Sequence, residues 1–330
     1  MGAFISLLAE ATIIITQETM IFALVYTWVE PWARDVVVTR TPPTLSSLVT
    51  LGLLYKLIIL YGTLSQQNTI QVVGLCVYSV TLCIYNGIQY ELLWAIAQVL
   101  KDNGVIRFDT WEIIRRIVMS IIANSAVFTL WMFSLAWKLY REFAWVTFRL
   151  VEADLAMRRR FLYSQVFLAL LKFGGFYALG FLVQRVGVVA VPGMYNDGRL
   201  LVPIVLIPTT CFLLFASAWA VRHENRSGTI VIIFLHTVLL AYYLWAIATL
   251  YNPEYANEYL GMRKALTFFG TITVLISVST IAMAWTCFRN FKRGLRPYVS
   301  GDRKARALGE AFEVEELQRL HANSPHREHD

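Results

Sequence analysis

The chain has 330 residues, of which 57% are hydrophobic, 14% aromatic and 15% charged, and its mean hydropathy is +0.56. Soluble domains carry about 25% charged residues, so the composition excludes a water-soluble globular protein and predicts an all-α polytopic transmembrane helical bundle. The net charge of +7 does not indicate nucleic-acid binding, because the basic residues flank apolar stretches, where they set topology and contact anionic lipid.

Three apolar stretches at the start of the chain are each long enough to cross a bilayer. The first, Ala3–Val29, begins too early and runs too far for a cleavable signal peptide, and we expect an uncleaved anchor. A polar connector with two prolines, Arg34–Ser47, leads to the second stretch, Leu48–Leu64. The turn after it is short, so the third stretch, Thr69–Tyr90, is predicted to run antiparallel beside the second.

The middle of the chain contains two further spans. The fourth, Ile113–Trp137, follows Asp109–Glu112, which has the spacing of an N-terminal capping box. From Lys138 to Arg160 the pattern turns amphipathic, which predicts a segment that lies along the membrane or extends the helix into the cytosol; a solvated linker is the alternative. The fifth span, Phe161–Val186, has glycines that suit the close approach of a neighbouring helix. These glycines are Gly174, Gly175 and Gly180.

Three more spans complete the membrane domain. The sixth, Leu200–Val221, contains Pro203 and Pro208, which are expected to kink the helix or to bound its start. The seventh is Thr229–Leu250 and the eighth is Ala265–Cys287. The sequence therefore predicts about eight spans, or seven if the first stretch does not insert.

The charge distribution predicts the orientation of the chain. We assign residues 1–299 to the transmembrane domain and residues 300–330 to a cytosolic tail that is partly disordered. With eight spans both termini lie on one side, and that side carries 17 Lys and Arg residues against 10 on the other. Because positive residues favour the cytoplasmic side, both termini are predicted to be cytosolic. The sequon at Asn225 then falls in a short cytosolic turn, and we expect no glycan there.

Four ionisable side chains inside predicted spans are the candidate site residues: Glu10, Glu18, Lys56 and Lys172. Burying a charge in hydrocarbon costs about 3 kcal/mol or more unless it is paired. Lys56 is therefore expected to face the bundle interior and to meet Glu10 or Glu18. Two interpretations remain open: a polar pathway for a proton, an ion or a head group, and a purely structural pair.

Other polar residues in the spans have simpler interpretations. His236 is a lone histidine, which is more often a hydrogen-bonded core residue than a ligand. Five amide side chains are expected to bridge helices: Gln71, Asn86, Gln89, Asn124 and Gln184. The four cysteines show neither a disulfide framework nor zinc-ligand spacing. The sequence contains no recognisable catalytic, metal-binding or cofactor-binding motif, so we expect no enzyme activity, no metal site and no cofactor.

Basic residues directly after the last span are candidate contacts for anionic lipids at the cytosolic face of the bilayer. They are Arg289, Lys292, Arg293 and Arg296. Farther along, Ala307–His321 has the pattern of a short acidic amphipathic helix, which would suit an adaptor contact or be loosely ordered. The sequence identifies no particular protein partner.

Several segments between Ser47 and Val299 carry a collinear set of motifs. They are Asn68–Cys76, Tyr85–Gln89, Arg141–Trp145, Ala153-Asp154, Gln165, Ile207-Pro208, Arg222–Asn225, Ala241-Tyr242, Leu266-Thr267 and Asn290–Leu295. This set resembles an uncharacterised fungal family of multi-span Golgi apparatus membrane proteins. The family commonly carries an aspartate near Lys172–Gly175, where this chain has none. The resemblance implies a multi-span Golgi protein and brings no established reaction with it.

The sequence thus predicts a non-enzymatic integral Golgi membrane protein that serves membrane organisation or cargo handling. The alternative is a small-molecule or ion transporter that uses the buried glutamates and lysines. A seven-span receptor is disfavoured by the even number of spans. A connected polar cavity that reaches the midplane would favour transport, whereas a solid apolar bundle would favour a structural role.

Overall fold

A computed structural model describes residues 2–28, 37–66, 68–102, 111–150, 155–189, 198–253 and 262–291. These residues form eight α-helices and no strand. The helices are α1 (Gly2–Trp28), α2 (Val37–Gln66), α3 (Thr69–Asp102), α4 (Trp111–Leu150), α5 (Leu155–Val189), α6 (Gly198–Arg222), α7 (Arg226–Thr249) and α8 (Arg263–Asn290). All eight are long and apolar enough to cross a membrane. The predicted all-α, eight-span membrane fold is confirmed.

Several helices are longer than a bilayer requires. At 1.5 Å per residue, α4 is about 60 Å long, whereas the hydrocarbon core is about 30 Å thick. The helix is unbroken from Trp111 to Leu150, so the amphipathic segment predicted from Lys138 begins as a direct continuation of the fourth span. Residues 151–154 within that segment lie outside the described residues.

The second helix begins earlier than the sequence predicted. Residues 37–47, assigned to a polar connector, form the first turns of α2, with Pro42 and Pro43 inside the helix. Leu45 on this segment is fully buried. Prolines are tolerated inside membrane helices because neighbouring groups satisfy the backbone carbonyls that they leave unpaired. In the same way Pro203 and Pro208 lie inside α6, so neither marks its start.

The described helices pack as two groups of four. In the first group, which we call the N-terminal unit, α1 packs on α2, α2 on α3 and α3 on α4, and α4 packs back on α1. In the second, the C-terminal unit, α5 to α8 follow the same order, and α8 packs back on α5. The units meet where α2 and α3 contact α5, and where α3 contacts α8.

Aromatic side chains fill the junction between the two units, which we call the interunit seam. Tyr78 of α3 lies edge-on to Phe176 of α5, with ring centroids 5.1 Å apart. Tyr85 of α3 lies edge-on to Phe269 of α8, also at 5.1 Å. The ring of Tyr177 of α5 is 5.9 Å from that of Tyr78. Such pairs are worth about 1 kcal/mol each beyond their burial, so the seam fixes the two units against each other.

The glycines of α5 allow close approach, as the sequence predicted. A Cβ atom added at Gly174 would lie 2.8 Å from Ile276 of α8, and one at Gly175 would lie 2.9 Å from Leu214 of α6. At Gly180 it would lie 2.8 Å from Phe269 of α8. Three glycines thus admit side chains of two neighbouring helices, and α5 is the most buried of the spans.

Several segments named in the sequence analysis lie outside the described residues. They are Asp109-Thr110 of the capping box, Lys292, Arg293 and Arg296 of the candidate lipid contacts, Ala307–His321, and the tail 300–330.

Candidate functional site

Three ionisable side chains lie on the packed faces of α1 and α2. On α1 a residue is buried every three or four positions, and Glu10 and Glu18 fall among the apolar residues of that stripe. Lys56 falls on the corresponding stripe of α2. Glu10 is 2% exposed, and Glu18 and Lys56 are each 1% exposed. Helix periodicity therefore places all three groups inside the N-terminal unit.

Lys56 and Glu10 form an ion pair. Nζ of Lys56 lies 2.8 Å from both carboxylate oxygens of Glu10 and donates to each. Glu10 is about 12 Å along α1 from Gly2, and Lys56 is about 15 Å before the end of α2 at Gln66. The pair thus lies several turns away from the nearer end of each helix. The expectation that Lys56 meets a carboxylate of the first span is confirmed, and the partner is Glu10.

Glu18 has a different environment. It lies about 80° around α1 from Glu10, and each of its carboxyl oxygens is 3.1 Å from Nε2 of Gln89 on α3. Ser46 on α2 also lies beside this carboxyl group, but its hydroxyl makes no hydrogen bond to a described residue. No basic side chain among the described residues forms an ion pair with Glu18. Its polar contacts are therefore with neutral groups.

Further polar side chains extend this set to α4. Nε2 of Gln17 donates to Oγ of Ser120 at 2.8 Å, and Nδ2 of Asn124 donates to Oε1 of Gln17 at 3.3 Å. Gln17 is seven residues, or about two turns, from Glu10, so both side chains lie on nearly the same side of α1. All four helices of the N-terminal unit thus contribute polar groups to the faces on which they pack, and those between α1 and α4 are half-buried.

The polar groups continue toward the α2–α3 turn. The Thr63 hydroxyl lies 3.2 Å from Oε1 of Gln71, and Asn68 donates to Gln165 at the start of α5. We call the whole set the polar column. Its members are Glu10, Gln17, Glu18, Ser46, Lys56, Thr63, Asn68, Gln71, Gln89, Ser120 and Asn124.

Of the five amides expected to bridge helices, three do so. Gln71, Gln89 and Asn124 each bond to a neighbouring helix. Asn86 and Gln184 are buried, but in the described part of the chain neither makes a hydrogen bond to another helix. The sequence analysis missed Gln17, Ser46 and Ser120. Gln17 could have been found from its spacing, since it shares a helix side with Glu10.

The fourth candidate, Lys172, does not join the polar column. It is half-buried on α5, and none of the described carboxylates pairs with it. The charged group that interacts with it electrostatically is Arg222, at the end of α6. Its backbone carbonyl accepts a hydrogen bond from the Tyr55 hydroxyl at 2.6 Å. The structure thus brings together three of the four predicted residues.

A buried arginine in the C-terminal unit was not expected. Arg185 stands at the end of the predicted fifth span, and it is 2% exposed near the end of α5. Its guanidinium donates to the carbonyl of Ala246 at 2.8 Å and to the Thr249 hydroxyl at 3.1 Å. It also lies 5.5 Å from the centre of the Trp245 ring. Arg185 therefore ties α5 to the end of α7.

The lone histidine has the core environment that the sequence suggested. Nε2 of His236 on α7 lies 3.0 Å from the Ser217 hydroxyl on α6. That hydroxyl donates to the carbonyl of Leu213 at 2.6 Å, so the histidine nitrogen is the donor to Ser217. His236 thus bonds α7 to α6. The described residues contain no group of three or more His, Cys, Asp or Glu that could hold a metal ion.

The candidate lipid contacts lie at the end of the last span. Arg289 is exposed in the last turn of α8, where a positive side chain can reach the head groups. The other three residues of that set lie outside the described part of the chain.

The comparisons with known proteins give one relative. The chain is 27% identical over 257 residues to a Schizosaccharomyces pombe protein described as a UPF0658 Golgi apparatus membrane protein, and the match covers 71% of this chain and 72% of the relative. No family model matches the chain, and no solved structure matches it. This homologue confirms the family resemblance that the collinear motifs indicated.

Proposed function

We propose that this protein is a small-ion transporter of the Golgi membrane and not an enzyme, and that the ion passes through the N-terminal unit. The polar column is the observation that supports the proposal. It contains the Lys56–Glu10 ion pair, which is 2.8 Å long and buried inside the N-terminal unit. The Golgi assignment rests on the printed description of the relative.

The energetics favour transport over membrane organisation. Ionisable residues inside spans are rare, because each one is costly, and they typically mark ion or proton pathways. A bundle that only organises membranes needs no such groups, since a buried ion pair can often be replaced by apolar side chains without loss of stability. This unit contains two buried glutamates and a buried lysine, together with polar groups from all four of its helices.

Reconstitution tests the proposal. Purified protein in phosphatidylcholine vesicles is expected to raise the flux of at least one of H⁺, Na⁺, K⁺ and Cl⁻, reported by trapped fluorescent indicators, above that of protein-free vesicles. The double variant Glu10→Gln with Lys56→Met removes both charges together, so it should fold and yet lose this flux.

A second ion pair provides the matched control. Lys264 of α8 bonds to Glu91 of α3, and their side chains are 67% and 58% exposed. Exposed pairs contribute about 0–1 kcal/mol, so the double variant Glu91→Gln with Lys264→Met should fold and keep its flux. Transport by the Glu10/Lys56 double variant at the wild-type rate, or no flux of any of the four ions, would contradict the proposal.

The orientation belongs to the same proposal, with both termini in the cytosol. In sealed Golgi vesicles, protease added outside is expected to remove a C-terminal tag, because the positive excess lies on that side. Asn225 should carry no glycan: it caps α7, accepting from the backbone of Gly228 at 3.1 Å, in the short turn between α6 and α7. A protected tag, or a mass shift removed by glycosidase, would reverse the orientation.

A further inference from the structure

The amide group of Gln89, which bonds to the Glu18 carboxyl group, has an oxygen without a hydrogen-bond donor in the described part of the chain. Nε2 of Gln89 donates to both oxygens of Glu18. The other end of that amide, Oε1 of Gln89, is buried without a hydrogen-bond partner in the described part of the chain. Leaving a buried acceptor unpaired is costly, and a donor on the carboxyl group of Glu18 is one way to satisfy it.

A proton on Glu18 supplies the missing donor. An ionised carboxylate only accepts hydrogen bonds, whereas a protonated one also offers an O–H. A carboxylic acid and a primary amide complement each other, since each has one donor and one acceptor on adjacent atoms. With Glu18 protonated, its O–H is the donor that Oε1 of Gln89 lacks, and the amide N–H still donates to the carboxyl group.

Among the described residues, no charged group pairs with Glu18 to offset a negative charge. From α3 it faces Gln89 and the phenol of Tyr85, and from α2 it faces Ser46; the hydroxyls of Tyr85 and Ser46 make no hydrogen bond to a described residue. Gln17 precedes Glu18 on α1, and its hydrogen-bond partners on α4 are Ser120 and Asn124. Both of these side chains are neutral. The lysine of the column, Lys56, is already neutralised by Glu10.

We propose that Glu18 is a proton-binding site. The proton bound there is either the transported ion or the coupling ion. The assignment of the proton to transport rests on the transport function proposed above. The carboxylate takes a proton from water on one side of the membrane and becomes a carboxylic acid paired with Gln89. It releases the same proton toward the other side and returns to the carboxylate. The cycle consumes nothing but the proton gradient.

Carbodiimide labelling tests the proton-binding site without a transport assay. Dicyclohexylcarbodiimide enters membranes and reacts with protonated carboxyl groups: the acid O–H adds across an N=C bond, and the acyl group then moves to nitrogen to leave a stable N-acylurea. With purified protein in phosphatidylcholine nanodiscs, peptide mass spectrometry is expected to find the adduct on Glu18, with a yield that falls as the pH rises. Glu10, whose carboxylate is held by Lys56, should stay unlabelled.

The variant Glu18→Gln carries no acid and should lose the adduct while retaining the neutral hydrogen bonds that keep the fold. In vesicles with trapped pyranine, it should also reduce proton flux to the level of protein-free vesicles. An unlabelled Glu18, or labelling independent of pH, would overturn the proton-binding site even if ion flux were found. Labelling of Glu18 without proton flux would keep the binding site and refute the proton as the transported or coupling ion.

Discussion

Replacing Lys56 by methionine is expected to cause the largest loss of stability of any single change in the N-terminal unit. The change removes the only partner that the buried Glu10 carboxylate has among the described residues, and breaking a buried ion pair from one side costs about 3–5 kcal/mol. Nζ of Lys56 donates to both oxygens of Glu10 at 2.8 Å, and both would lose that donor. Thermal unfolding of the purified protein in detergent should show a clearly lower midpoint, and steady-state levels in cells should fall.

A second substitution, made in the Lys56→Met variant, identifies which glutamate pairs with Lys56. Adding Glu10→Gln to Lys56→Met removes the stranded charge and should recover most of the lost stability. Adding Glu18→Gln instead should recover little, because Glu18 bonds to Gln89 and not to Lys56. If Glu18→Gln restored the stability of the Lys56→Met variant and Glu10→Gln did not, Lys56 would pair with Glu18. Wild-type stability of Lys56→Met would show that the ion pair contributes nothing to folding.

Replacing Gly74 by alanine is expected to disrupt the interunit seam. A Cβ atom at this position of α3 would overlap a ring carbon of Phe173 on α5, and it would lie 2.7 Å from a second ring carbon. Phe173 is buried and packs 5.9 Å from Tyr78, so the ring cannot move without disturbing the seam. Overpacking of this kind costs about 1–3 kcal/mol. The unfolding midpoint of the purified variant should drop accordingly.

The same helix offers a matched control. Gly87 also lies on α3, and a Cβ atom there would meet nothing within 4 Å, so Gly87→Ala should leave stability unchanged or raise it slightly through better helix propensity. Trimming the opposing ring, as Phe173→Leu in the Gly74→Ala background, should recover part of the loss. Equal stability of the two glycine variants would mean that α3 and α5 are not in close contact at Gly74.

The spans themselves could be predicted from the sequence. Each of the eight described helices matches one of the eight predicted apolar stretches over almost all of its length, because about 20 apolar residues are what a bilayer requires of a helix. The start of α2 was the main error. Pro42 and Pro43 in a polar stretch favoured a connector, yet the helix begins at Val37, since membrane helices tolerate proline better than soluble ones.

The candidate site could be predicted only in part. Helix periodicity and the cost of buried charge were enough to predict that Lys56 meets a glutamate of α1, but both Glu10 and Glu18 satisfied that argument. Arg185 was not among the candidates, because it stands at the end of an apolar stretch and the sequence does not show that α7 supplies the carbonyl of Ala246.

The sequence by itself determined the number of spans, their approximate limits and the burial of charges within them. These properties depend on local hydrophobicity and on the 3.6-residue period of the helix. Only the tertiary structure decided that the helices form two units of four, that Glu10 pairs with Lys56, and that Phe269 is 1% exposed while Phe215 is 73% exposed. Lipid is as apolar as a protein interior, so hydropathy cannot tell a lipid-facing phenylalanine from a packed one. That choice is made by close packing and hydrogen bonds between helices.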